Sequence, residues 1–178
     1  MMEEVKFSWR TLTSPLCQAT FWTVLIADQL SKWLVQAKLE LGGRIPLLPF
    51  LEITHIKNRG AAFGIFHDSS NAFRIVFFGL VTVVCVFLLV QWLGKTPVQE
   101  RALRFFLSMT LGGAFGNLID RVSFGEVTDF IHVFYNPIDF SFPAFNIADS
   151  AISVGIALIL LRVFIAPKLS RRRAKAKF

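Results

Sequence analysis

Four stretches of the chain are long and apolar enough to form membrane-spanning helices, and more polar segments separate them. The predicted spans cover about residues 11–36, 75–94, 104–119 and 147–166. A helix needs roughly 20 predominantly apolar residues to cross about 30 Å of hydrocarbon. The pattern therefore predicts an all-α membrane fold in which four transmembrane helices form a single domain over residues 1–178.

Two polar segments between the predicted spans carry the remaining structural signals. In the first, from about residue 37 to 71, apolar and polar residues alternate around Leu51–Ile56, as they do in a half-buried strand. Asn58 and Gly60 then supply turn chemistry, so we expect a small β-element on the membrane surface. The second segment, residues 117–146, is the most acidic part of the chain.

The composition favours a membrane protein over a soluble or disordered one. Hydrophobic residues make up 54% of the chain and charged residues 17%, whereas soluble domains have about 25% charged residues. The mean hydropathy of +0.56 leaves too little polar surface to enclose a water-soluble core. The two cysteines and three histidines lack the number and spacing of zinc ligands or of a disulfide framework.

The positive charges predict how the chain is oriented in the membrane. The N-terminus, the loop after the second span and the tail at residues 167–178 are all basic, and the net charge is +7. Because Lys and Arg concentrate in cytoplasmic loops, we expect both termini to be cytoplasmic. The basic tail is expected to touch anionic lipid rather than nucleic acid. We do not expect the first span to be a cleaved leader, since no A-x-A-like site follows it.

Asp129 and Asp149 are the strongest candidates for chemistry. Asp129 lies within an otherwise apolar run and Asp149 at the start of the fourth span, where ionisable groups are costly and often functional. Two such carboxyl groups brought together share a proton, so that one activates water while the other polarises a carbonyl. The alternative is structural: Asp149 would cap a helix and Asp129 would lie in a turn.

Other charged and small residues have structural explanations. Asp28 and Lys32 have the spacing of an i, i+4 ion pair. Asp120 and Arg121 are interpreted as a second pair, or as a brace for the loop that presents Asp129. The small residues at 112–116 favour close packing of the third span, which would bring Asp129 near Asp149 if the partner is the fourth span.

Five motifs in order along the chain resemble the lipoprotein signal peptidase (signal peptidase II) family. They are Asp28-x-x-x-Lys32, Asn58-x-Gly60-x-Ala62-Phe63-Gly64, Gly113-x-x-Gly116-Asn117-x-x-Asp120-Arg121, Val127-x-Asp129-Phe130 and Phe145-Asn146-x-Ala148-Asp149. The resemblance implies an aspartic endopeptidase of the bacterial inner membrane. Such enzymes remove the signal peptide from diacylglyceryl-modified prolipoproteins, cutting just before the lipidated Cys. Thr128 and His132 depart from the commonest family pattern, and His132 is expected to alter the pH optimum.

The resemblance also assigns roles to individual residues. It places the catalytic pair on Asp129 and Asp149. Supporting or substrate-binding roles are expected for Asp28, Lys32, Asn58, Gly60, Asn117, Asp120, Arg121 and Asn146, with Gly60 included because a small residue lets the peptide approach closely. An extracytoplasmic β-cradle and a flap helix would fall in residues 37–71, and globomycin, a cyclic peptide, would bind across the pair. We expect a monomer without cofactor or metal.

Two other functions are left open by the residues themselves. A small ion-coupled transporter would use Asp28 and Lys32, although four spans are few and no inverted repeat is visible. A non-catalytic scaffold would use its acids only as helix caps, and would keep its function with both candidate aspartates changed to Asn. A serine hydrolase is disfavoured, because the chain has no G-x-S-x-G elbow.

Overall fold

The computed structural model describes residues 6–59 and 70–165, which form a helical bundle with a small antiparallel sheet at one end. The helices are α1 (Trp9–Leu12), α2 (Pro15–Lys38), α3 (Asn71–Lys95), α4 (Arg101–Phe124) and α5 (Ile147–Leu160), and α5 continues as a π-helical turn, Leu161–Ile165. The strands are β1 (Arg44–Leu48), β2 (Leu51–Asn58), β3 (Val127–Tyr135) and β4 (Phe140–Ser141), with a 3-10 turn at Asn136–Ile138.

Three of the described helices are long and apolar enough to cross a membrane: Val76–Lys95, Arg101–Phe124 and Ile147–Phe164. Helix α2 has 24 residues, but it carries Asp28 and Lys32 in its middle and is not among the three. The predicted count of four spans is therefore not confirmed by length and composition. The prediction of a mostly helical fold with a small β-element is confirmed.

Helix α4 lies at the centre of the bundle and packs against α2, α3 and α5. Glycines on α4 allow this close approach, as expected from the small residues at 112–116. A Cβ at Gly113 would lie 2.5 Å from the backbone oxygen of Ala148 on α5, and one at Gly112 would lie 2.8 Å from that of Phe21 on α2. Because real Cβ atoms do not approach other atoms this closely, both glycines set the distance between the helix axes.

Helix α4 runs five residues beyond the predicted end of the third span. It ends at Phe124, and Gly125 follows in the left-handed conformation (φ 71°), which glycine adopts without steric cost at a helix C-terminus. Asn117, Asp120 and Arg121 are consequently helical. The prediction that the third span ends at residue 119, before Asp120 and Arg121, is wrong for the helix, which continues through these polar residues.

The sheet has the order β1-β2-β3-β4, and all its pairs are antiparallel. The predicted β-element is confirmed in β1 and β2, but the sequence reasoning did not identify β3 and β4 as strands. Asp129 lies opposite Ile56, and an irregularity in β2 between Ile53 and Ile56 shifts the register just before this point. The sheet thus carries Asp129 on β3 beside the ends of α2, α4 and α5. The predicted flap helix falls partly on residues 60–69, outside the described residues.

Buried or paired arginines hold the opposite end of the bundle together. Arg104 on α4 donates to the backbone oxygens of Thr11 and Val98 and to the Ser14 hydroxyl. Arg162 forms an ion pair with Glu100 in which its Nη2 lies 3.0 Å from Oε1 and 2.8 Å from Oε2 of the carboxylate. These contacts connect the beginnings of α2 and α4 to the end of α5.

Candidate active site

Asp129 is a buried carboxyl group held by two asparagines. Its side chain is on β3 and the residue is 2% exposed. Asn58 on β2 donates from Nδ2 to Asp129 Oδ2 at 2.9 Å. Asn146, immediately before α5, donates from Nδ2 to Asp129 Oδ1 at 2.7 Å. Amides from two separate elements therefore hold both oxygens of this carboxyl group.

Asp149 is in the first turn of α5, where a capping box begins the helix. Asn146 is the N-cap: its Oδ1 accepts from the backbone N–H of Asp149 at 2.9 Å, and Asp149 Oδ2 accepts from the backbone N–H of Asn146 at 3.2 Å. The structural alternative, with Asp149 as the cap, is therefore wrong in detail. Asn117 on α4 donates to the other oxygen of Asp149 at 2.8 Å.

Asn146 connects the two candidate aspartates. Its side-chain amide contacts Asp129, while its side-chain oxygen and backbone N–H contact Asp149. The residue has no exposed surface. One buried residue thus contacts both carboxyl groups, that of Asp129 through its side-chain amide and that of Asp149 through its backbone N–H.

Lys32 is a buried cation shared by two carboxylates. Its Nζ lies 2.8 Å from Asp28 Oδ2, 2.8 Å from Asp120 Oδ2 and 3.0 Å from Asn117 Oδ1. The predicted ion pair between Asp28 and Lys32 is confirmed. The predicted pair between Asp120 and Arg121 is wrong, because successive helical residues point about 100° apart and only Asp120 faces Lys32. Arg121 donates instead to the backbone oxygen of Asn117 at 3.3 Å.

Hydrogen bonds of Asp28 and Gln29 extend this charged cluster to α5 and along α4. Asp28 Oδ1 accepts from the backbone N–H of Ala148 at 2.9 Å, one residue before Asp149. Gln29 Nε2 lies within 3.1 Å of Asp28 Oδ2 and of the Gly116 oxygen, and 3.0 Å from Asp120 Oδ1. The sequence reasoning missed Gln29, whose only signal was its place beside a buried acid in an apolar span.

Burial raises the pKa of Asp129 to about 6, above its ordinary value of 3.8. The negative charge of Asp149 raises this pKa further, while the hydrogen bonds from Asn58 and Asn146 and the charge of Lys32 lower it. Removing a carboxylate from water disfavours its charged form, and this effect exceeds the stabilising contacts. A carboxyl group with a pKa of about 6 exchanges its proton near neutral pH, as general acid–base chemistry requires.

A pocket of about 460 Å³ opens beside Asp129. Asn58 and Asp129 supply polar groups to its wall, and Ile56, Pro143 and Ala144 supply apolar ones. Lys57 and Arg59 also line it, so the wall combines polar, cationic and apolar groups. Gly60, the other predicted substrate-binding residue of this segment, lies outside the described residues.

Arg121 is the remaining predicted site residue. Its guanidinium lies within electrostatic reach of Asp149, Asp129 and Asp120. Every predicted polar residue in the described part of the chain is therefore in or next to one site. Among residues 6–59 and 70–165, no three His, Cys, Asp or Glu side chains are grouped to hold a metal ion.

Comparisons with known proteins cover most of the chain. A family model described as signal peptidase (SPase) II matches residues 20–165. A lipoprotein signal peptidase from Shewanella woodyi is 49% identical over 138 residues, which are 78% of this chain and 77% of that relative. A lipoprotein signal peptidase from Acinetobacter baylyi is 40% identical over 153 residues, or 86% of this chain and 84% of the relative.

Two solved structures, each described as a bacterial membrane enzyme, have a similar fold. One has a TM-score of 0.75 at 32% identity and covers 91% of this chain and 98% of its own. The other has a TM-score of 0.74 at 32% identity, with 89% and 90% covered. The similarity in fold therefore extends over nearly the whole molecule.

Proposed function

The chain belongs to the signal peptidase II family, and on this premise we propose that it is an aspartic endopeptidase whose catalytic residues are Asp129 and Asp149. The family is one of bacterial membrane proteases that remove signal peptides from prolipoproteins. The proposed cleavage site is the peptide bond just before a Cys that carries a diacylglyceryl group. Globomycin-type cyclic peptides would bind across the same pair.

One observation carries this proposal: the buried Asn146 donates to both carboxyl groups, from its side-chain amide to Asp129 and from its backbone N–H to Asp149. Two carboxyl groups held in one desolvated site cannot both ionise easily, so they share a proton. The pKa of about 6 for Asp129 supports this, because it puts proton exchange in the range where a peptidase of this kind would work.

The proposed reaction needs only water and the two aspartates. The ionised carboxylate takes a proton from a water molecule, whose oxygen attacks the carbonyl carbon of the scissile bond. The protonated carboxyl group donates to the carbonyl oxygen and stabilises the tetrahedral intermediate. A proton then passes to the leaving nitrogen, and the C–N bond breaks. The shared proton belongs to the pair rather than to one residue.

The other site residues would hold the pair in place. Asn58 steadies Asp129. Asn117 steadies Asp149 and also contacts Lys32 of the charged cluster. The cluster members Asp28, Lys32 and Asp120 brace α2 against α4 and α5. Arg121 would balance the negative charge of the site. Gly60 stays a proposed substrate contact.

The proposed membrane topology has four spans, with α2 as the first. Trp22, Ile26 and Trp33 on α2 are 50%, 58% and 62% exposed, whereas Asp28 and Lys32 are buried against α4. Charged groups inside a membrane face the protein interior and pair with one another, so α2 can cross despite them. We place both termini in the cytoplasm and the active site near the outer face of the cytoplasmic membrane, in a monomer.

Changing each aspartate to Asn tests the proposal. In a cleavage assay with a diacylglyceryl-modified prolipoprotein, Asp129→Asn and Asp149→Asn should each abolish turnover, since Asn keeps the shape but cannot exchange the proton. The double variant should be little worse than either single one, because the two residues act as a unit. Asp139→Asn, at an exposed turn, is the matched control and should cleave normally. Substantial turnover by either single variant would exclude the aspartic mechanism.

A further inference from the structure

A second group of polar side chains, separate from the two aspartates, crosses the sheet. Ser141 Oγ lies 2.9 Å from His132 Nε2, and His132 Nδ1 lies 2.8 Å from Glu52 Oε1. The three residues are on β4, β3 and β2, which are neighbours in the sheet, and Glu52 is directly opposite His132. Strand register therefore holds together three side chains that are up to 89 positions apart in the sequence.

The partners of His132 determine where its proton lies. The Glu52 carboxylate only accepts hydrogen bonds, so neutral His132 carries its proton on Nδ1. Its Nε2 then has a free lone pair, which accepts from the Ser141 hydroxyl. Arg44 Nη1, 3.1 Å from the same oxygen of Glu52, further orients the carboxylate. The side chains of His132 and Glu52 are only 15% and 10% exposed, whereas Ser141 is exposed.

We propose that Ser141 is a nucleophile activated by His132 and oriented through Glu52, and that it reacts with uncharged carboxylic esters that carry an apolar acyl chain. The hydroxyl oxygen attacks the ester carbonyl carbon while its proton passes to His132 Nε2. The tetrahedral intermediate then expels the alkoxide, which takes that proton and leaves as an alcohol. Water, deprotonated by His132, hydrolyses the acyl-serine and releases the acid. These reaction steps need no cofactor and no redox partner.

The surroundings of Ser141 favour an apolar acyl group. Phe134 stacks on the His132 ring, with 5.5 Å between the ring centres and 28° between the ring planes. Phe140 and Phe142, on either side of Ser141, are 47% and 45% exposed. Phe134 is directly opposite Ser141 in the strand register and lies on the same face of the sheet, whereas sequence neighbours in a strand project to the other face. An acyl chain on Ser141 would therefore bury part of the Phe134 ring.

This assignment does not need the G-x-S-x-G elbow whose absence disfavoured a serine hydrolase from the sequence. A nucleophile, a base and an orienting acid are recognised by their geometry and roles, and the same arrangement recurs on unrelated folds in different chain orders. In this chain the order is Glu52, His132, Ser141. His132 is one of the two positions at which the sequence departs from the commonest family pattern.

A fluorophosphonate probe tests the proposal on the full chain in detergent. The Ser141 oxygen would displace fluoride from phosphorus, and peptide mass mapping should find the adduct at Ser141. Ser141→Ala should remove labelling, and Ser123→Ala, which changes another exposed serine, should not affect it. His132→Gln should slow labelling about 100-fold, the scale of general-base assistance. Hydrolysis of p-nitrophenyl butyrate should follow the same order among the variants.

The peptidase variants separate this reaction from the proposed function. Asp129→Asn should be labelled like the wild type although it no longer cleaves prolipoprotein, and Ser141→Ala should cleave prolipoprotein normally. An adduct on any residue other than Ser141 in the wild-type protein would overturn the proposal, and this result requires no variant to fold. Equal labelling rates for His132→Gln and the wild type would also overturn it, since Ser141 would then react without its base.

Discussion

Asn117 donates a 2.8 Å hydrogen bond to Asp149, and this bond connects a proposed catalytic carboxyl group to the buried charged cluster. The side-chain oxygen of the same asparagine lies 3.0 Å from Lys32 Nζ. The amide nitrogen of Asn117 is thus bonded to Asp149 and its amide oxygen to Lys32. These two bonds fix the orientation of the amide, and therefore the direction from which it donates to Asp149. The charge arrangement around Lys32 can therefore affect the reaction without touching the substrate.

Asn117→Ala should lower kcat about 100-fold and leave KM nearly unchanged. Misplacing a reacting group by about 1 Å has an effect of this size, while Asn117 does not line the pocket beside Asp129. Steady-state kinetics on the folded protein would measure the two constants. Asn136→Ala, in an exposed turn, is the control with unchanged kinetics. A KM effect with normal kcat would assign Asn117 to substrate binding instead.

Asp129 should make the protein less stable as the pH rises. Its pKa is about 6 when folded and 3.8 ordinarily, so between these values the folded state binds more protons than the unfolded state. The free energy of unfolding then falls with rising pH, by about 3 kcal/mol in total from this group. Asp129→Asn removes the effect.

Thermal unfolding in detergent at a series of pH values would measure this. The Tm of Asp129→Asn minus that of the wild type should increase from pH 4 to pH 7 and then level off. The same difference for Asp139→Asn should change little with pH. A constant difference for Asp129→Asn would mean that burial does not raise the pKa of this carboxyl group.

Gly116→Ala should destabilise the protein by about 1–3 kcal/mol, the usual cost of overpacking. A Cβ at Gly116 would collide with Asp28 Oδ2. Asp28 cannot move away easily, because Lys32, Gln29 and the backbone of Ala148 all hold its oxygens. The same change would disturb the charged cluster, so activity should fall with stability.

Gly79→Ala is the matched control for this substitution. Gly79 is also inside a long helix, but nothing lies within 4 Å of where its Cβ would be. Alanine is about 1 kcal/mol more favourable than glycine in a helix, so this variant should keep or slightly gain stability. Chemical or thermal unfolding of both variants would give the comparison. Equal stability of the two would show that α4 can shift away from α2 without cost.

The proposed four-span topology predicts where reporters will lie. A reporter fused after Phe178 should be cytoplasmic, and one inserted near Ser69 should lie outside, because Lys and Arg concentrate in cytoplasmic segments and the tail and the loop after the second predicted span are basic. Reporter activity in both positions would be measured in cells. An external C-terminus would remove the four-span arrangement, and with it the crossing of α2.

The sequence predicted the members of the site better than their connections. The i, i+4 spacing of Asp28 and Lys32 identified their ion pair, because helix geometry alone brings these positions together. The contact between Lys32 and Asp120 joins residues 88 positions apart on different helices, and no local pattern reports it. The family motifs marked Asp120 as a site residue, but local reasoning paired it with its neighbour Arg121.

The strands around Asp129 were missed for a similar reason. Val127–Tyr135 becomes a strand by pairing with β2 and β4, whereas its own sequence contains an apolar run interrupted by one acid. Such a short run does not distinguish a strand from a buried loop or a helix end. The end of α4 was likewise placed too early, because Asn117, Asp120 and Arg121 resemble a polar loop until their buried partners are known.

The capping box at the start of α5 has a consequence for heat inactivation. Helix ends and loops open with less free energy than the core of a protein. Here one asparagine both begins the helix and holds Asp129, so a single fraying event would release the two aspartates from each other. The enzyme would lose its turnover at temperatures where its helical content, measured by circular dichroism, has fallen by no more than about one helical turn.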